Sequence, residues 1–282
     1  MKKLFTLFAF LLSISMVKAQ ITTPAPSPAC KFEQKVGLTD ITLEYSRPGI
    51  KGRDIYGGLV PYGEMWRTGA NASTKVSFST DVKIQGEDLM KGDYALYTIP
   101  GEEEWEFIFY KDLSNWGVPQ EWNEDDVALR VKGEARNMGQ TTVENMLIMI
   151  DEISNASAWM ILAWERTAVG VKIEVPTNEM VMSSINATMA GPSDRDYYLA
   201  ASYYFEEGKD MDQALEWINM SLAKGGDKFW VLRRKALIQA AMEDYKGAIE
   251  TAKKSRDLAK EAGNMNYVNA NEESIKEWME KM

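Results

Sequence analysis

The sequence contains no histidine and a single cysteine, Cys30. Without an imidazole, a Ser-His-Asp or Cys-His catalytic mechanism is excluded, and so is a His-ligated zinc, copper or non-haem iron site. One cysteine excludes an internal disulfide bond and any cysteine cluster for zinc or an iron–sulfur centre. We therefore expect neither a metal site nor a cofactor.

Basic residues are outnumbered, with 32 Lys and Arg against 42 Asp and Glu, which gives a net charge of −10. This balance argues against a nucleic-acid partner, because phosphate contacts need clustered Lys and Arg. Hydrophobic residues make up 45% and charged residues 26% of the 282 residues, values typical of globular proteins. The length is that of one large or two ordinary domains.

The N-terminus has the pattern of a signal peptide. Lys2 and Lys3 precede an apolar run over 4–17, which at 14 residues is shorter than the roughly 20 that a membrane-spanning helix needs. Small residues at Val17 and Ala19 then match a signal peptidase site. We predict a signal peptide over 1–19, cleavage after Ala19 and a periplasmic or secreted protein. No later stretch is apolar for 18 residues, so we expect no membrane insertion after cleavage.

The first half of the remaining chain has the periodicity of β-strands. A Pro-rich linker is predicted over 20–29 and an antiparallel β-domain over 30–175. Ile41, Leu43 and Tyr45 alternate with polar residues, as in a half-buried strand. Strands are predicted at 41–46, 76–78, 82–84, 94–99, 105–110, 127–131, 143–150, 158–164 and 171–175. Such short strands without intervening helices indicate an antiparallel β-sandwich or barrel, so the whole chain is an α+β multidomain protein.

The second half has helical periodicity. A connecting helix and linker are predicted over 176–193, and a helical domain over 194–282. Helices are predicted at 178–190, 194–207, 211–224, 229–242, 245–262 and 266–281. Ala214 and Ala248 align in two segments 34 residues apart, which is the period of a tetratricopeptide repeat. Gln239 and Glu243 replace the usual aromatic and Gly of that repeat, so a plain helical bundle is the alternative.

The segment over 45–71 is the candidate ligand site. It has no sustained alternation over 27 residues, and loops of this length are usually functional. Its arginines can bind a carboxylate, phosphate or sulfate, and its aromatic residues can stack on a sugar ring. The candidate ligand-binding residues are Arg47, Arg53, Tyr62, Glu64, Trp66, Arg67 and Asn71. The alternative is an internal lid, in which the arginines pair with the protein's own carboxylates.

Several sequence runs resemble those of the family of unknown function DUF2911. They are YSRP at 45–48, KGR at 51–53, LVPYGEMWRTGAN at 59–71, GDYALYTIP at 92–100 and LAWE at 162–165. The resemblance covers roughly 27–175 and implies export by a Gram-negative bacterium. It also fits helical repeats behind the β-domain, which some similar proteins carry. The family has no assigned activity, so the resemblance implies no catalytic residues.

Three functions are compatible with these features. The first is an exported, non-catalytic binding or adaptor protein, in which the helical repeats bind a protein partner and the 45–71 segment binds a small anionic or saccharide ligand. The second is a histidine-free, glycosidase-like hydrolase that uses two carboxylates, drawn from Asp54, Glu64 and another acidic residue. The third is a structural subunit of an envelope assembly. The sequence favours the first and leaves catalysis open, because fold analogy alone does not establish function.

Overall fold

The computed structural model describes residues 23–188 and 191–282. The predicted signal peptide, its cleavage site after Ala19 and the first residues of the predicted linker lie outside these ranges. The chain divides into two compact units, and the division falls between Thr177 and Asn178. None of the helices in the described ranges is long and apolar enough to cross a membrane.

The N-terminal unit is one antiparallel sheet, which has eleven strands in the described residues. They are β1 Ala29–Val36, β2 Thr39–Ser46, β3 Thr74–Phe78, β4 Val82–Ile84, β5 Glu87–Leu89, β6 Gly92–Ile99, β7 Glu104–Tyr110, β8 Val127–Asn137, β9 Val143–Asp151, β10 Ser157–Glu165 and β11 Thr167–Glu174. Their order is β1-β2-β3-β6-β7-β8-β11-β10-β9, and β4 pairs with both β5 and β11. A short 3-10 helix at Glu124–Asp126 precedes β8.

The side-chain alternation of the strands creates one core inside the sheet. In β2, Ile41, Leu43 and Tyr45 are buried and the residues between them are not. The same alternation holds in β10 and β11, where Val169 and Val171 face the core. Because successive side chains of a strand point to opposite faces, each strand gives the core every second residue.

The sheet curves until its ends almost meet, so the unit is a nearly closed antiparallel barrel. The chain that follows β2 reaches β9, where Gly49 forms a bridge with Asn145. The Ile50 amide donates to the Glu144 carbonyl at 2.9 Å. This seam confirms the predicted fold class and decides between its two forms, because a sandwich would leave the two edges apart.

The described part of the C-terminal unit consists of six helices. They are α1 Thr177–Thr188, which starts at the division between the units, α2 Asp194–Glu206, α3 Met211–Gly225, α4 Phe229–Ala241, α5 Tyr245–Glu261 and α6 Met265–Glu280. Ser193 caps α2 in a complete capping box with Asp196, which confirms the motif in the sequence. Buried small residues line α3 and α5 at matching positions, including Ala214 and Ala248. Small residues let neighbouring helices approach closely, so α2–α3 and α4–α5 form two similar pairs.

The prediction missed two strands and half of a third. The edge strand β1 alternates between outward residues and inward ones up to the fully buried Val36, but the inward Gln34 is polar and interrupts the apolar pattern in the sequence. It starts at Ala29, inside the predicted linker. Strand β5 has two exposed acidic residues before its one buried residue, Leu89, so its sequence shows no alternation. Strand β11 starts four residues before the predicted strand, where small Ala168 and Gly170 give no β signal.

Candidate functional site

The 45–71 segment folds against the barrel. Ile55 and Val60 are buried in the barrel core. Trp66 forms a bridge with Thr98 of β6, through two backbone hydrogen bonds of 2.8 and 2.9 Å. The segment therefore extends the sheet and contributes to the core.

Trp66 is part of an aromatic cluster. Its ring stacks on Trp164 with centroids 5.9 Å apart and planes 18° apart. Tyr56 lies edge-on to Trp105 at 4.9 Å. The Trp66 indole N–H donates to the Gly69 carbonyl at 3.1 Å. Since both its ring and its donor have partners within the protein, Trp66 has a packing role in this structure.

Two of the three candidate arginines bind backbone carbonyls at the barrel seam. Arg47 Nε donates to the Met146 carbonyl at 2.8 Å. Arg53 Nε donates to Ile50 and its Nη2 to Gly49, at 3.0 and 2.6 Å. The lid alternative predicted carboxylate partners for these arginines, whereas both bind backbone carbonyl oxygens. Both guanidinium groups therefore stabilise the seam.

Arg67 differs from the other two arginines. Its Nε is buried and has no hydrogen-bond partner among the described residues. A Cβ built on Gly117 would lie 3.5 Å from its Nη1, so the guanidinium group packs against the loop that follows β7. Of the three candidate arginines, it is the one whose guanidinium Nε can still gain a partner.

The other candidates on this segment have separate environments. Tyr62 is 43% exposed, and Glu64 is exposed. The Asn71 amide donates to the Ser27 carbonyl at 3.2 Å and to the Ser46 hydroxyl at 3.1 Å, and so holds the N-terminal segment against the end of β2. A ligand site at 45–71 stays a prediction.

The helical unit contains a groove of about 290 Å³. The sequence predicted that the helical repeats bind a protein partner, but it did not indicate which residues would form the binding surface. The groove is formed by α2, α4 and α6. The lining residues are Tyr198, Trp230, Arg233, Arg234, Leu237, Asn266, Tyr267 and Ala270. The first helix of each pair supplies them, together with α6. The 34-residue repeat was the available signal, because it shows which helices are equivalent.

Two neighbouring arginines in this groove have different partners. Arg234 forms an ion pair with Glu206 at 2.6 Å. Arg233 binds neutral groups, with Nη2 donating to the Ser274 hydroxyl at 2.9 Å and Nη1 to the Asn271 amide oxygen at 3.4 Å. Burial lowers the pKa of the Arg233 guanidinium, so the site disfavours its charged form. Arg233 is a half-buried cation that forms no ion pair among the described residues, although the charge of Glu273 acts on it.

Over 23–188 and 191–282, no group of three or more Cys, Asp or Glu side chains is placed to hold a metal ion.

The fold and the groove together define a two-part protein, with an antiparallel β-barrel followed by repeated helix pairs. The chain belongs to the family described as protein of unknown function DUF2911, whose profile matches residues 27–173. The match confirms the resemblance seen in the sequence and covers the barrel. No curated protein and no solved structure shows significant similarity to the chain.

Proposed function

We propose that this is an exported, non-catalytic binding or adaptor protein whose helical groove binds an extended acidic segment of a protein partner. The observation that carries the proposal is the guanidinium group of Arg233, which is half buried, donates hydrogen bonds to neutral groups and forms no ion pair within the described residues. A carboxylate from a partner would offset the free-energy cost of keeping this half-buried guanidinium group charged.

The lining of the groove and the repeated helices support an extended polypeptide as the ligand. Its walls carry the rings of Tyr198, Trp230 and Tyr267, and the Trp230 side chain is 40% exposed. Aromatic rings next to an arginine are the residue types that contribute most to binding energy at protein interfaces. The helix pairs are similar to a tetratricopeptide array, and stacked helical repeats offer long binding surfaces.

Export is part of the proposal and rests on the signal-peptide pattern over 1–19. Binding of a small anion or saccharide at 45–71 is a subsidiary proposal, and Arg67 is its strongest residue because its Nε lacks a partner. Asp54 and Glu64, the two named candidates for the carboxylate pair of the hydrolase alternative, are exposed on the same segment. No contact of either residue favours hydrolysis.

The test uses two fluorescent decapeptides, one alternating Glu with Leu and one alternating Lys with Leu. We expect the full chain to bind the Glu peptide in anisotropy titrations and the Lys peptide at least tenfold more weakly. Added salt should weaken the Glu complex, because the interaction is between charges. Equal binding of both peptides, or no binding of the Glu peptide, would contradict the proposal.

Variants of Arg233 separate its charge from its packing. Arg233→Gln keeps a donor for Ser274 and removes the charge, so we expect at least a tenfold loss of affinity for the Glu peptide. Arg233→Lys keeps the charge and should retain part of the affinity. Arg256→Ala is the matched control, because this arginine pairs with its neighbour Asp257 on α5, outside the groove. Urea unfolding of each variant checks that the fold is intact, and equal affinity of Arg233→Gln and the parent would exclude a role of the charge.

A further inference from the structure

The outer face of the barrel has a trough along β11. Ala168 and Gly170 are the outward residues at its floor, since Val169 and Val171 between and beyond them face the core. Ala168 lies opposite Arg136 of β8, and Gly170 lies opposite Ile161 of β10. Because β11 has almost no side-chain volume here, the larger side chains of β8 and β10 project beyond it and form the two walls of the trough. The resulting cleft has a volume of about 570 Å³, within the roughly 300–1,000 Å³ of typical small-molecule sites.

The two walls of the cleft differ in chemistry. The β10 wall is apolar and consists of Trp159 and Ile161. A Cβ built on Gly170 would lie 3.4 Å from atoms of both side chains, so the indole and the Ile side chain flank the floor closely. The β8 wall is charged and carries Lys132, Glu134 and Arg136 at every second position.

Two like charges face each other between β7 and β8 at the cleft. Glu104 of β7 lies directly opposite Glu134 of β8, and like charges in such a pair destabilise a sheet. Lys132 pairs with Glu104 at 2.6 Å. Within the part of the chain that the structure describes, neither Glu134 nor Arg136 forms an ion pair. An unpaired acceptor and an unpaired donor therefore lie two residues apart on the same wall.

The charge balance limits the class of ligand. Three carboxylates, from Glu104, Glu134 and Glu152, line the cleft together with the two cations Lys132 and Arg136. With this near balance, neither a phosphate nor a polycation has a field that favours it. A neutral ligand with many hydroxyl groups can accept from the guanidinium group and donate to the carboxylates. One apolar face of such a ligand would have to lie on the indole.

We propose that this cleft, between the Trp159 wall and the Glu134–Arg136 wall, binds a neutral oligosaccharide built from pyranose rings. A pyranose has the required two sides, with C–H groups on the ring face and hydroxyl groups at the ring edge. The face packs on the Trp159 indole, and the edge forms hydrogen bonds with Glu134 and Arg136. The site lies on the barrel, and its lining shares no residue with the 45–71 segment or with the helical groove.

The experiment is isothermal titration of the full chain with defined trisaccharides. The neutral probes are cellotriose, maltotriose and laminaritriose, and the charged comparators are trigalacturonate and the trimer of glucosamine. We expect at least one neutral trisaccharide to bind and both charged trimers to bind at least tenfold more weakly. Absence of binding by all three neutral probes at millimolar concentration would overturn the proposal, and so would preferential binding of a charged trimer.

Variants assign the binding to the cleft. Trp159→Ala removes the stacking surface and should lower the affinity at least tenfold. Ala168→Val fills the floor with a residue that favours strands, so it should block binding while the barrel stays folded. Trp116→Ala is the control, because Trp116 is 72% exposed and outside the cleft. If Ala168→Val is folded by thermal unfolding and binds like the parent, the site is elsewhere and the proposal is wrong.

Discussion

Ser221 and Ser255 lie 34 residues apart and form the same hydrogen bond in successive helix pairs. The Ser221 hydroxyl donates to the backbone carbonyl of Asp194, the first residue of α2, at 2.8 Å. The Ser255 hydroxyl donates to that of Phe229, the first residue of α4, at 2.7 Å. In each pair the second helix is thus held to the start of the first. The 34-residue period is therefore a repeat of tertiary contacts as well as of residue types.

The two serines should differ in their contribution to stability. Ser255 also accepts a hydrogen bond from Asn271 Nδ2 at 3.0 Å, and Asn271 is fully buried. Ser221→Ala should lower the free energy of unfolding by about 1 kcal/mol, the net value of one hydrogen bond. Ser255→Ala should lower it by about 1–3 kcal/mol, because it leaves one of the two buried N–H groups of Asn271 Nδ2 unpaired, while the other still donates to the Tyr267 carbonyl. Urea unfolding of both variants measures the difference, and a larger loss in Ser221→Ala would contradict this assignment.

Two tyrosines provide a test of the barrel seam. The Tyr45 hydroxyl donates to the Ile148 carbonyl at 3.0 Å and accepts from the Ile148 amide at 2.9 Å, so it joins β2 to β9. The Tyr56 hydroxyl is buried and has no partner among the described residues. Tyr45→Phe should destabilise the barrel by about 1–3 kcal/mol, and Tyr56→Phe should be neutral or slightly stabilising. Each change removes one oxygen atom. Chemical denaturation of the two variants therefore compares the free-energy contribution of the Tyr45 hydroxyl at the barrel seam with that of the Tyr56 hydroxyl in the aromatic cluster.

Gly37 is required in the turn between β1 and β2 for two reasons. Its φ of +54° lies in the left-handed region, and a Cβ there would overlap Thr177 Oγ1 and the Asn155 carbonyl. Gly139, with φ of +65°, has no atom within 4 Å of its built Cβ. Gly139→Ala should therefore show only the backbone cost of about 1 kcal/mol. Gly37→Ala should be clearly more destabilising in thermal unfolding, and equal melting temperatures would show that the overlap relaxes without cost.

The acid stability of the helical unit should depend on Asp196. The Ser193 hydroxyl and amide donate to its carboxylate at 2.6 and 2.8 Å and hold the pKa of that carboxyl below its ordinary value of 3.8. The unfolded chain then binds a proton at a higher pH than the folded chain does. This contribution is complete above about pH 3.8 and is lost as the pH falls through the lower pKa of the folded state. Between pH 7 and pH 3, the melting temperature of the parent should fall more than that of Asp196→Asn, and parallel curves would contradict the role of this carboxylate.

The helix boundaries were determined almost entirely by local sequence. The predicted and observed ends of α2 to α6 agree to within one residue, for example 194–207 against Asp194–Glu206. Capping residues such as Ser193 and Asp210 mark helix starts through contacts three residues away, which a linear pattern shows directly. Strands were found wherever their alternation was strong. Strand β1 was missed because the polar Gln34 interrupts its apolar side, and the start of β11 was missed because the small residues Ala168 and Gly170 give no β signal.

Tertiary structure decides which charged and aromatic side chains have partners inside the protein and which are open to a ligand. Arg47 and Arg233 cannot be told apart by their charge. Arg47 is already bound within the protein, because barrel closure brings it to the Met146 carbonyl, 99 residues away in the sequence. The trough beside Trp159 exists because the small residues Ala168 and Gly170 lie on a strand whose two neighbours carry larger side chains. Local sequence does not show which strands are neighbours in the sheet. The sequence by itself determined the two-part architecture, the helices and the family. Which cations and rings stay open to a ligand depends on contacts between distant segments, so only the folded chain decides it.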